Sequence, residues 1–107
     1  MSQKPKHHRT YGSAATDLDA ARDALAQALT LTFRARESDY LGGLYYMARP
    51  AAPHAASLKL HLNRDPITGD VIMREVPHFA LILQAEDIAD PDALTDDLYA
   101  LGFTPTS

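Results

Sequence analysis

The sequence predicts an α+β domain: an antiparallel sheet of four to five strands with an N-terminal and a C-terminal helix packed on it. Three observations lead there. Apolar residues recur at helical spacing near both ends, in Leu18, Ala21, Leu25, Ala28 and Leu29 and again in Leu94, Leu98 and Leu101. Between them the period falls to two, as in "SLKLHLN". Consecutive strands flanked by helices favour an antiparallel sheet over a βαβ arrangement.

Residues 1–14 carry Lys4, Lys6, Arg9, His7 and His8 with no apolar periodicity, and are expected to form a flexible basic arm. Residues 15–103 form the single α+β domain and 104–107 a tail. The first helix is expected over about Ala14–Leu29, a segment free of Gly and Pro, with Thr16 as N-cap and Asp17 and Asp19 in the first turn. "TLTFRAR", Thr30–Arg36, alternates, with Leu31, Phe33 and Ala35 on one side and Thr32, Arg34 and Arg36 on the other. "LYYMAR", Leu44–Arg49, is tyrosine-rich and β-favouring, so "ESDYLGG" becomes a hairpin loop. Two prolines make Pro50–Ala56 a loop.

In Ser57–Asn63, Leu58, Leu60 and Leu62 are expected to face the core, and Lys59, His61 and Asn63 the solvent. The turn chemistry of "RDPITGD" then predicts a return strand at Val71–Val76, ended by Pro77. "HFALILQ", His78–Gln84, is apolar on both faces, as a central strand is. Asp90 and Pro91 supply an N-cap and first helical position, Gly102 a C-terminal stop, and Phe103 can fold back on the last turn.

At 107 residues with 46% apolar content, the chain can bury one core unaided. It has no cysteine, which rules out a disulfide scaffold and thiol chemistry and fits a cytoplasmic setting. The apolar runs are too short to span a bilayer, and the N-terminus lacks a signal peptide's apolar stretch, so no membrane association is expected. The net charge is −4 and its distribution is uneven. Beyond Arg74 there is no Lys or Arg, whereas Glu75, Glu86, Asp87, Asp90, Asp92, Asp96 and Asp97 all lie there. Such an end repels nucleic acid and attracts basic partners, while on its own it also suits a solvated helix face.

Motifs for chemistry are weak. The five histidines include no i, i+4 helical pair, so no metal site is expected, and no cofactor. Ser38 beside Asp39 lacks the nucleophile-elbow spacing, and Gly42-Gly43 precede a strand rather than a phosphate-binding helix, so no catalytic residue is assigned. Arg34, Arg36, Arg49, Arg64 and Lys59 can share a polar sheet face, with a solvated face as the simpler reading. The "ESDYLGGLYY" stretch reads as turn geometry or as a recognition loop, since tyrosines beside glycines offer contact area at low entropic cost.

"FRARESDYLGGLYY", the leucine-alternating strand with Asn63 and Asp65, "VPHFALIL" and "LTDDLYALGF" together resemble small bacterial immunity proteins of polymorphic toxin systems, over Leu31 to about Phe103. The resemblance implies a non-enzymatic, cytoplasmic protein whose partner is a cognate protein toxin, occluded by charge-steered binding. The contact residues under that reading are drawn from Asp39, Tyr40, Tyr45, Tyr46, Glu86, Asp87, Asp90, Asp92, Asp96 and Asp97. Two alternatives stand beside it: a small ligand-binding domain or enzyme with a pocket over the sheet, and a homodimeric interaction module.

Overall fold

Strand structure begins earlier than the periodicity of the sequence suggests. The computed structural model describes residues 7–38, 43–49, 57–65 and 68–106. Its elements are β1 (His7–Ser13), α1 (Leu18–Leu29), β2 (Arg34–Ser38), β3 (Gly43–Ala48), β4 (Ser57–Leu62), β5 (Leu81–Ile88), α2 (Pro91–Ala100) and β6 (Thr104–Pro105). One antiparallel sheet has the spatial order β2-β3-β4-β5-β1-β6. The α+β class and two helices are as predicted; the sheet has six strands instead of four to five.

Alternation along the strands sorts residues onto two faces. The first carries Tyr11, Tyr46, Ala48, Leu58, Leu60, Leu81, Leu83 and Ala85, all buried in one cluster with Leu25 and Leu29 of α1, Leu94 and Leu98 of α2, and Phe103. Each fully buried leucine contributes about 1.5–3 kcal/mol of transfer free energy, so this layer holds the helices on the sheet. Ile88 rejoins the same face although it lies three residues beyond Ala85. A bulge against β1 absorbs the extra residue, with Asp87 at φ 55°.

Caps close both helices. The Asp17 carboxylate accepts from the Ala20 N–H at 3.0 Å, and the Asp90 carboxylate from the Ala93 N–H at 3.1 Å. Pro91 occupies the first turn of α2, as expected. Gly102, at φ 87°, lets the chain leave α2 so that Phe103 folds back, 2% exposed. The first helix starts at Leu18 with Asp17 as cap, later than the expected Ala14 start with Thr16.

Several expectations are corrected. Residues 7–13 are no arm: they form β1, lying between β5 and β6 with Tyr11 fully buried. Residues 1–6 lie outside the described residues. The expected tail contains β6, whose Thr104 pairs with Gly12, and the Thr106 N–H donates to the Thr10 carbonyl at 2.9 Å. Val71–Val76 is no return strand but a run of bends and turns, joined to the Asn63 end by the isolated bridge Arg64–Val71 and by the Ile72 N–H donating to the Asn63 carbonyl. The strand placed at His78–Gln84 runs from Leu81 to Ile88. The strand placed at Thr30–Arg36 runs from Arg34 to Ser38; Thr30 ends α1 in the left-handed region, and Ala35 is exposed. The β2–β3 hairpin is as expected, with Arg34 opposite Met47 and Ser38 opposite Gly43.

The largest revision concerns the second face of the sheet. His61 and Asn63, expected outward, are 0% and 3% exposed. Residues 68–80 fold back over this face. Asn63 pins them: its side-chain NH₂ donates to the carbonyls of Val76 (3.0 Å) and Phe79 (2.9 Å), and its oxygen accepts from the Met73 N–H (2.7 Å). The Phe79 ring lies against Gly12, where a Cβ would come within 2.2 Å of it. Gly12 is therefore required by close approach. This cover meets Gly12 and Asn63, Ile82 and His61 on the same face are fully buried, and among the described residues none of its contacts reaches β2 or β3.

Candidate binding surfaces

The sequence-predicted site residues fall into separate places. Asp39 and Tyr40 lie outside the described residues. Tyr46 lies on the helix-covered face, 8% exposed. Its hydroxyl donates to the Asp19 carboxylate at 2.6 Å, and the Arg22 guanidinium sits 4.7 Å from its ring centre. The hydrogen bond to Asp19, reinforced by burial, raises the phenol's pKa. Its ring and hydroxyl are thus used inside the fold and offer no contact surface. Tyr45 points to the opposite face, half-buried, between Arg36 on β2 and His61 on β4.

The acids follow one another along the end of β5 and α2, with Glu86 on the sheet face opposite the helix. Glu86 and Asp87 close β5, Asp90 caps α2, and Asp92, Asp96 and Asp97 lie along the helix, all exposed except the half-buried Glu86. Packing and hydrogen bonds anchor the helix on the sheet. Leu94 and Leu98 are buried, and the Thr95 hydroxyl meets both the Tyr11 hydroxyl and the Arg9 guanidinium of β1 at 2.8 Å. Arg9 also approaches Asp92 at 4.0 Å, but the Asp92 side chain is 96% exposed, so water screens the pair and the carboxylate faces solvent. The acidic set and the two tyrosines that the sequence grouped are not one site: β3 and α2 lie at different places in the layers.

A third region collects cations. At the β2–β3 end of the second sheet face, Arg34 and Arg36 share a side with Met47, and Arg49 follows two residues on along the same strand direction. With Thr30 and Thr32 from the α1–β2 connection they line a cavity of about 530 Å³. All three arginines are exposed, and none has an ion-pair partner among the described residues. Lys59 stands across from Met47 on the next strand, half-buried. The sequence showed Arg34 and Arg36 alternating outward; their convergence with Arg49 depends on the hairpin register. Arg64 does not join them. It lies on the Asn63 side of the sheet, donating to the Gly69 carbonyl at 3.3 Å.

Next to this cavity the chemistry changes. His61 is buried, its Nδ1–H donating to the Leu62 carbonyl at 2.8 Å and its Nε2 accepting from the Gln84 side chain at 3.0 Å. Burial lowers its pKa, with the Leu62 carbonyl opposing, so the imidazole is held neutral. Among the described residues no group of three or more His, Asp or Glu side chains could hold a metal ion, and no helix is long and apolar enough to cross a membrane. The chain matches no protein-family model, no curated protein and no solved structure, so the geometry of its own residues carries the functional argument.

Proposed function

We propose that this chain is a non-catalytic inhibitor of the immunity type, which binds a basic cognate toxin through the acidic surface at the end of β5 and along α2 and thereby blocks the toxin's active site. The observation that carries the reading is the display of Asp92 and Asp96 as exposed carboxylates on a helix fixed from below by Leu94, Leu98 and Thr95. A rigid charged surface steers an oppositely charged partner into encounter and loses little entropy on docking. Asp87, Asp90 and Asp97 add negative charge at the end of β5 and on the helix, whereas Glu86, opposite Ser57, alternates to the other face of the sheet and Tyr46 is withdrawn into the fold.

The test is the double reversal Asp92→Lys with Asp96→Lys, assayed against the toxin encoded in the adjacent reading frame. Association at low salt should slow at least about tenfold, its dependence on ionic strength should flatten, and the unfolding midpoint should hold. An unaltered association rate would remove α2 from the interface. A neighbouring product that the wild-type chain fails to neutralise would end the inhibitor reading altogether.

A further inference from the structure

We propose that the cavity lined by Arg34, Arg36 and Arg49 binds a phosphoryl group, held by guanidinium forks and the hydroxyls of Thr30 and Thr32. The site is separate from the acidic surface of α2, and the proposal stands whether or not the inhibitor reading holds.

The argument starts from charge. Arg34 and Arg36 are two residues apart on one strand, which places their Cα atoms about 6.6 Å apart on the same face. Arg49 approaches from the neighbouring strand, two residues past Met47, the partner of Arg34. Three guanidinium groups around one concavity repel one another, and no carboxylate among the described residues neutralises them. An anion in the cavity removes that repulsion. Net charge conceals the site, because the acids that make the chain −4 overall are concentrated on other elements.

Side-chain type narrows the ligand. Arginine presents a planar, permanently charged fork suited to oxyanions. A carboxylate offers two oxygens and one charge, whereas a phosphate monoester brings three acceptor oxygens and close to two charges, a better match to three forks. The threonine hydroxyls add neutral donors, and Met47 supplies an apolar patch. The volume, about 530 Å³, is that of a site for a small molecule such as a mononucleotide. Thr30 adopts φ 53° as the left-handed cap that ends α1 at the cavity.

Charged residues on an edge strand also serve to prevent edge-to-edge aggregation, a role that requires no ligand. Titration of the intact chain, followed by backbone amide shifts, separates the two. Inorganic pyrophosphate should give saturable shifts confined to residues 30–36 and 47–49. Arg34→Gln with Arg49→Gln should weaken binding at least about tenfold, whereas Arg74→Gln, an exposed arginine elsewhere, should leave it intact. Adenosine 5′-monophosphate and a 5′-phosphorylated thymidine tetranucleotide then distinguish a free metabolite from a nucleic-acid end: tighter binding of either supports the site and names its source. For the strand, engagement of three phosphates implies a log–log salt slope of roughly −2. No saturation by roughly 10 mM pyrophosphate, weaker than the millimolar affinities of ordinary small ligands, would overturn the proposal. So would shifts that the double variant leaves unchanged, or that sodium chloride reproduces.

Discussion

The two halves of the sheet's second face share strands and pleat but differ in what covers them. At the β1–β5–β4 side, residues 68–80 return to Gly12 and Asn63, and Ile82 and His61 on the same face are fully buried. At the β2–β3 side the described residues leave the same face open, and it carries Arg34, Arg36 and Arg49 around a cavity. The division is set by a few polar contacts, not by strand composition. Asn63 fixes the cover, Gly12 makes room for it, and where the cover stops the outward residues become charged. A buried polar group stabilises only when its partners are in place, and Asn63 satisfies three backbone groups at once.

Removing that clamp should do most to erase the difference between the halves. Asn63→Ala strands two carbonyls and an N–H, and should destabilise the fold by about 2–4 kcal/mol in chemical denaturation. Amide exchange should rise first at Met73 and Phe79, and a cost below about 1 kcal/mol would show that the cover is held by other contacts. Gly12→Ala comes next, at about 1–3 kcal/mol, because its Cβ would meet the Phe79 ring. On a Phe79→Ala background the same substitution should cost much less, and strict additivity in that double-mutant cycle would refute the contact.

The smallest effect concerns pH. His61 has a lowered pKa in the folded state, so the unfolded chain binds its proton more readily. Its neutral form favours folding fully above the ordinary value of 6.5, and stability declines as pH falls below that value towards the folded pKa. His61→Gln should flatten this part of the stability–pH curve, and an unchanged slope between pH 6.5 and 5 would show that the imidazole is not withheld from protons.

Some of this was legible in the sequence because local chemistry decided it. Asp90-Pro91 announces the start of α2, and the alternation of Leu58 and Leu60 fixes a core face. The β2–β3 hairpin followed from two β-favouring segments around a glycine-containing loop. What was missed depended on distant partners. In β1, "HHRTYGS" has one large apolar residue on its core face, Tyr11, and a glycine whose place is taken by Phe79, so no alternation shows. "VIMREV" is β-favouring by composition, yet Asn63 draws its backbone into turns. His61 and Asn63 looked outward since nothing local signalled that His61 would be buried or that residues 68–80 would return to Asn63. The acids of α2 were visible as a cluster, whereas the arginine cavity required knowing which residue of β3 stands opposite Arg34.

The position of β1 also shapes how the molecule is made. Tyr11 pairs with Leu83 and Pro105, so this strand finds its neighbours only after the intervening elements have been made. At about 5–20 residues per second the ribosome needs roughly 4–15 s to reach Leu83 from Tyr11, and release from its exit tunnel adds to the delay. During that interval a β-forming segment waits without a template, while the β2–β3 hairpin can already assemble from near neighbours. Maturation is therefore paced by long-range closure, and slow refolding relative to helical domains of equal size is its kinetic signature.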